Sequence, residues 1–275
     1  LVGSEMCIRD RYFSIPAVLS RRVDSLESNF IAKCRYNFYD KIIAISKNIY
    51  DILSLLESCS GKLSLIRSAV EQQELLTQIS NEQFLAKYKL SKNDFVILSA
   101  GQLIERKQHL LIIKMINNLS KFYPQLKLII MGQGKLSGSL KKMVHKFKLQ
   151  KVVIFGGFDL NLDTYMHHFD LLVHPASKEG LGVILMKAGA AGLPVVAFEA
   201  GGIPEVIISG KTGLLAKIGD QLAFEKNIAY FIDNQNLKMD YSNRARRWIK
   251  DNFSVAEMVE QHIQLYESIY NARKR

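Results

Sequence analysis

At 275 residues, 48% hydrophobic and 23% charged, the chain has the composition of a soluble globular protein of one large or two small domains with a sizeable core. Charges such as Lys114 break every apolar run short of the ~18 residues of a membrane span, and Cys7, Cys34 and Cys59 lack metal spacing and argue against a disulfide scaffold, which suits a reducing cytoplasm. A net charge of +11 fits a solvated surface together with attraction to anionic lipid headgroups and an anionic ligand, while nucleic-acid binding lacks any aromatic-basic motif.

The first residue is Leu, and Leu1 to Arg11 show neither helical nor strand periodicity. They resemble translated adapter sequence, so residues 1–12 are set aside as a non-native leader, and the lack of a signal peptide carries no weight. Residues 13–70 read as the tail of a domain. An irregular amphipathic helix is expected over 21–39, with Val23, Leu26, Phe30, Ile31 and Phe38 as its apolar positions. A buried strand follows at Ile42 to Ser46, then a helix capped by Ser46 to about Leu56, then a strand over Lys62 to Val70. Some 55 residues make a small core on their own. Residues 71–93 are polar and helical in character, a linker with little chemistry.

From Phe95 a regular βα alternation sets in over 94–253. Strands are expected at Phe95–Ala100, Leu126–Met131, Val152–Phe155, Asp170–His174, Pro194–Phe198 and Gly213–Ala216. Helices are expected at about 107–122, 135–147, 160–168 and 183–191. This order predicts an α/β domain with a doubly wound parallel sheet, its ligand outside the carboxyl ends of the strands. The six histidines form no ligand cluster, and His167 and His168 are expected on a helix surface.

The first strand runs into Gly101-Gln102-Leu103-Ile104-Glu105-Arg106-Lys107. Gly101 gives the exit turn, and Lys107 is either a surface lysine or an ammonium placed to offset charge on a departing diphosphate. Gly132-Gln133-Gly134 lacks the third glycine of a dinucleotide fingerprint and reads better as a tight turn. The densest signal lies between His174 and Glu205. Gly180 and Gly182 precede an apolar helix ending at Gly192, a strand Val195–Phe198 follows, and then Gly201-Gly202. Glycine turns and a helix N-terminus offer unpaired amides that suit phosphate. Glu179 beside them accepts hydrogen bonds, as sugar hydroxyls require. Phosphate and hydroxyls together point to a nucleotide sugar; the alternative is that the glycines only make tight turns and Glu179 is solvated.

Pro-Ala-Ser-Lys-Glu-Gly-Leu-Gly, Ala-Gly-Leu-Pro-Val-Val-Ala, Gly-Gly-Ile-Pro-Glu-Val-Ile and Gly-Lys-Thr-Gly-Leu-Leu together resemble the donor domain of retaining glycosyltransferases of family four, over roughly residues 30–273. The resemblance implies a GT-B fold: a Rossmann-like C-terminal donor domain, an incomplete N-terminal Rossmann-like domain, and a C-terminal helix over 254–275 that crosses back to it on a stripe including Val259, Tyr266 and Tyr270. It further implies a nucleoside-diphosphate sugar donor, a glycan or lipid-linked acceptor in cell-envelope polysaccharide or lipopolysaccharide synthesis, no cofactor, no metal, and a cytoplasmic enzyme peripheral to the membrane.

By that resemblance Glu179 holds the sugar, while Lys107 and the backbone of Gly180, Leu181, Gly182 and Val183 hold the diphosphate. Gly156 lets the base approach the backbone, with Phe158 either beside it or in the core. Two positions depart from the family. Gln102 stands where an arginine binds diphosphate, a loss Arg106 is placed to offset. Lys187 stands where a second glutamate accepts from the ribose; lysine offers donors only, so pairing with phosphate is expected there. The chain is expected to bind a nucleotide sugar better than it transfers one. An epimerase or hydrolase on the same fold and a non-catalytic nucleotide-sugar-binding module remain open, with a nicotinamide oxidoreductase a distant fourth.

Overall fold

Two parallel sheets carry the chain, and the computed structural model describes residues 15–25, 27–71 and 79–273. The residues read as a leader, 1–12, together with Leu26 and most of the 71–79 stretch lie outside the described residues. In the N-terminal part, β1 (Val18–Arg21), β2 (Lys41–Ala44) and β3 (Leu63–Leu65) pair in that order. Helices α1 (Asn29–Tyr36) and α2 (Lys47–Ser54) follow β1 and β2.

Here the structure corrects the sequence reading. Strand β1 precedes the helix expected from residue 21 and ends at Arg21; residues 22–25 are neither helix nor strand, and α1 starts only at Asn29, capped by Ser28. The strand expected over 62–70 pairs only at Leu63–Leu65, because β3 has a neighbour on one side and the chain then leaves the sheet. Val70 instead donates its amide to the Phe253 carbonyl (3.3 Å) in the C-terminal part. The expected cap is present: Ser46 Oγ accepts from the Ile49 amide at 3.2 Å.

The polar stretch read as a linker contains α3 (Asn81–Tyr88), fixed at its start by a capping box of Ser80 and Gln83. Its Phe84 and Tyr88 are buried against Phe169, and Tyr88 and Tyr165 share a hydroxyl hydrogen bond of 3.1 Å. The six-stranded sheet comprises β4 (Phe95–Ala100), β5 (Leu126–Met131), β6 (Val153–Gly157), β7 (Leu171–His174), β8 (Val195–Phe198) and β9 (Gly213–Ala216). Its spatial order is β6-β5-β4-β7-β8-β9, all pairs parallel. Strands β4, β7 and β8 are buried at every position, as a sheet covered on both faces requires.

Helices α4 (His109–Leu119), α5 (Ser137–Lys146), α6 (Val183–Ala191), the single turn α7 (Ile203–Val206), α8 (Gln221–Asp233), α9 (Lys238–Asn252) and α10 (Val255–Arg273) complete the fold. The α-helix expected over 160–168 is a 3-10 helix, Leu162–His168, whose tighter winding puts Leu162, Tyr165 and His168 on one stripe. His168 is half-buried there: its ring stacks on Phe84, and its Nε2 donates to the Ile79 carbonyl (3.0 Å). Along α10 the expected apolar stripe is divided: Val259, Tyr266 and Tyr270 are exposed, Val255, Met258 and His262 half-buried, and Ile269 buried. No helix among the described residues is long and apolar enough to cross a membrane.

Candidate functional site

The strand order reverses direction between β4 and β7, and the crevice outside their carboxyl ends is where such a sheet accepts a ligand. Two loops meet there. The β4 loop leaves Ala100 through Gly101, whose φ of +151° suits glycine, and a 3-10 turn, Glu105–Lys107, then buries Lys107. The β7 loop leaves His174 and runs to Gly182, the left-handed residue (φ +94°) that starts α6.

The two loops are joined by charge. Lys107 Nζ is ion-paired with Glu179 Oε2, and the same oxygen accepts from His174 Nε2 at 2.9 Å. Burial alone would raise the Glu179 carboxyl, but the His174 hydrogen bond and the Lys107 charge outweigh it and hold the group down at about 2. Glu179 is therefore an anion at any neutral pH. Burial lowers His174 in turn, opposed by its bond to Glu179. Behind this cluster His109 is also buried, its Nδ1 against Ser99 Oγ at 3.1 Å, and burial brings it down to about 4.

The second glycine pair differs from expectation. The Gly202 amide does not serve a ligand but donates to the Glu179 carbonyl at 3.0 Å. A Cβ on Gly201 would stand 2.0 Å from that carbonyl oxygen, and one on Gly202 would stand 2.3 Å from the Gly180 carbonyl oxygen. These glycines let two loops touch and so fix the backbone beneath Glu179. Gly180 meets the N-terminal part in the same way: a Cβ there would lie 2.4 Å from the Arg22 carbonyl oxygen. Leu181 is buried, backbone and side chain alike, whereas Val183 is exposed at the head of α6. The first amides of that helix have no preceding turn to accept them.

Beside this corner lies a cavity of about 330 Å³, within the range that holds small organic ligands. Gly101, Gln102 and Lys187 line it, together with Phe158, whose exposure removes it from the core. Gly156 is not among the lining residues; a Cβ there would meet Met131 Sδ at 2.1 Å, so it is glycine for packing. Lys187 Nζ donates to Asp163 Oδ2 at 2.8 Å, so in the structure its partner is a carboxylate. Arg106 does not reach into the site, since its guanidinium donates to the Lys178 carbonyl at 3.3 Å.

Asp163, His174 and Glu205 escaped the sequence reading. His174 had a legible signal, a polar residue closing an apolar strand at a sheet crevice. Asp163 had none. Glu205 holds the N-terminal part: Oε2 accepts from the Lys47 amide (2.9 Å) and from Arg67 Nε (3.1 Å), and Oε1 accepts from the Asn48 amide (3.1 Å). Among the described residues no group of three or more His, Cys, Asp or Glu side chains is arranged to hold a metal ion.

Comparison with known proteins gives consistent results. The family model for glycosyl transferases group 1 matches residues 80–248. The N-acetyl-alpha-D-glucosaminyl L-malate synthase of Bacillus anthracis is 24% identical over 250 residues, covering 79% of this chain and 65% of that protein. The capsular polysaccharide biosynthesis glycosyltransferase CapM of Staphylococcus aureus is 27% identical over 240 residues, covering 80% of this chain and 61% of that protein. This chain thus spans about two thirds or less of the length of these relatives. Among solved structures, Anabaena Alr3699/HepE in complex with UDP and glucose superposes with a TM-score of 0.83 at 20% identity, over 96% of this chain and 74% of that one. That likeness establishes the GT-B fold.

Proposed function

The chain belongs to the glycosyl transferases of group 1, and on that premise we propose that it takes a sugar from a nucleoside-diphosphate sugar and passes it, with retention, to a glycan or lipid-linked acceptor of the cell envelope. The observation that carries the reading is the Lys107–Glu179 pair at the strand-order reversal, beside the N-terminus of α6. Glu179 Oε2 is taken by Lys107 and His174, which leaves Oε1 to accept a sugar hydroxyl. Lys107 and the amides of Gly182 and Val183 face the diphosphate.

In the transfer, the bond from the anomeric carbon to the phosphate oxygen breaks, and its electron pair stays on that oxygen. The acceptor hydroxyl forms the new bond from the same face and gives its proton to the departing phosphate. Charge builds on phosphate, so stabilising it in place is the main catalytic need. Lys107 and the N-terminus of α6 supply that stabilisation. The relative in capsular polysaccharide synthesis and the +11 charge support an envelope acceptor reached at an anionic membrane surface.

The test is incubation of the protein with labelled UDP-, GDP- and ADP-sugars and a membrane-lipid acceptor fraction. Release of nucleoside diphosphate with the anomeric configuration preserved in the product is expected. Free sugar or an epimer would establish a hydrolase or epimerase instead, and no binding of any nucleotide sugar would end the reading.

A further inference from the structure

The cavity beside the Lys107–Glu179 pair contains one carboxylate that no established role uses. It runs across the carboxyl ends of three neighbouring strands, from Gly101 after β4, past Gly132 after β5, to Phe158 after β6. Strands lie about 4.8 Å apart, so its two ends are separated by roughly 10 Å. The Gly101 end adjoins the N-terminus of α6, which suits phosphate; the Phe158 end offers apolar faces from Leu160 and Met166, which suit a flat ring. A nucleoside diphosphate laid along this length places its ribose between the two ends.

Asp163 and Lys187 both line the cavity. Lys187 is the fifth residue of α6, about 7 Å along the axis from its start at ~1.5 Å per residue, one step behind the phosphate position. Ribose hydroxyls in a protein pocket need acceptors, and an ammonium has none to give. Two carboxylates are near. Asp159 is more heavily engaged, because Oδ2 accepts from Tyr165 Oη (2.6 Å) and Lys87 Nζ (2.9 Å), and Oδ1 accepts from the Asn161 amide (2.9 Å). Asp163 differs. Among the described residues it accepts from Lys187 alone, on Oδ2, and a carboxylate accepts several bonds.

We propose that Asp163 is the residue that reads the ribose hydroxyls of the bound nucleotide, and that Lys187 is the positioning residue that holds its carboxylate at the cavity wall. The proposal rests on the nucleotide-sugar reading above and deepens it. The acceptor comes from the 3-10 helix, and the cation on α6 orients it instead of meeting phosphate. Lys187 then affects the nucleotide only through Asp163.

Calorimetric titration with UDP, GDP and ADP, each against its 2′,3′-dideoxy counterpart, tests this on the whole chain. The wild type is expected to favour the ribonucleotide it binds best by about 10-fold or more, the factor of one hydrogen bond to a charged acceptor. Asp163→Asn should bring that ratio to within about 3-fold while dideoxy affinity stays put. Lys187→Met should lower the ratio in part, and Lys187→Arg, which keeps a donor for Asp163, should restore it. A wild-type preference that survives Asp163→Asn overturns the proposal, as does equal weakening of ribo and dideoxy ligands by Lys187→Met, which would mark a phosphate contact. Wild-type binding with no ribose preference overturns this proposal alone. No binding of any nucleoside diphosphate overturns the nucleotide-sugar reading with it.

Discussion

Lys107 and Glu179 lie 72 residues apart in the chain, yet their charged groups meet at the point where the strand order of the larger sheet reverses. Each neutralises the other in a site from which water is largely excluded, with 10% and 13% of their side-chain surfaces exposed. Glu179→Gln should therefore act in two directions. Sugar-nucleotide binding should weaken by roughly 1.5–3 kcal/mol, the worth of a hydrogen bond to a charged acceptor. Binding of the bare nucleoside diphosphate should hold or tighten, because the Lys107 ammonium is released to phosphate. Calorimetry with both ligands decides; equal losses would place the sugar away from Glu179.

Acid stability should fall in two separable windows. Glu179 titrates at about 2 in the fold against 4.5 for a free carboxyl, so the unfolded chain takes up this proton first as the pH drops. Stability present above about pH 4.5 is then lost towards pH 2. His109 titrates at about 4 against 6.5, chiefly because burial disfavours its charged form, so again the unfolded chain protonates first. That loss runs from about pH 6.5 down to 4. Each shift corresponds to roughly 3 kcal/mol. In urea titrations across pH 7 to 3, His109→Gln should reduce the loss in the upper window, to which His174, also lowered by burial, contributes, and Glu179→Gln should reduce the loss in the lower. A wild type of constant stability between pH 6.5 and 4 would mean that His109 is not held neutral.

Gly201→Ala should damage the site by crowding. Its φ of +54° would cost an alanine roughly 1–2 kcal/mol by itself. Gly210, at φ +77° with nothing within 4 Å of an added Cβ, provides the control that carries the same backbone strain without the contact. Gly201→Ala should lose sugar-nucleotide affinity by about tenfold or more as the Glu179 carbonyl is pushed aside, and Gly210→Ala should not. Equal affinities would mean that the two loops are free to part.

Strand ends and glycine turns made Lys107, Glu179 and Gly182 legible in the sequence, because each sits at a local break in an apolar pattern. The βα alternation gave β4, β5 and β9 to the residue for the same reason. What stayed hidden depends on partners brought together by the fold. Asp163 has no meaning until α6 places Lys187 beside it, and α3 reads as polar linker until Phe169 and Tyr165 cover Phe84 and Tyr88. Strand β1 stayed unread because it holds only two apolar residues, Val18 and Leu19, too few to show an alternation.

The +11 charge should give association with anionic lipid vesicles that salt abolishes. Screening shortens from ~10 Å at 0.1 M to ~3 Å at 1 M salt, so cosedimentation should fall steeply across that range. Binding that ignores salt, or none at low salt, would take the membrane out of the account.

Glu205 lies in the Gly-Gly-Ile-Pro-Glu segment beside the candidate site but acts on the other half of the chain. Its two oxygens accept from the Lys47 and Asn48 amides, 158 and 157 residues away, and these are the first two amides of α2. Ser46 takes the third, that of Ile49. A helix of only eight residues thus has its N-terminus capped jointly by its own serine and by a carboxylate from the opposite part, whose charge also suits the helix dipole. Arg67 anchors the same carboxylate from beyond β3. Glu205→Ala strips all three bonds and should cost roughly 1.5–3 kcal/mol, the range for hydrogen bonds to a charged group, with the loss concentrated at this contact. Hydrogen exchange should then quicken at Lys47 and Asn48 while the amides of β4 and β7 keep their protection. Glu205→Gln, which retains an acceptor but no charge, should fall between. Unchanged exchange at Lys47 and Asn48 in Glu205→Ala would show that Ser46 alone holds the helix, and that the two parts are joined elsewhere.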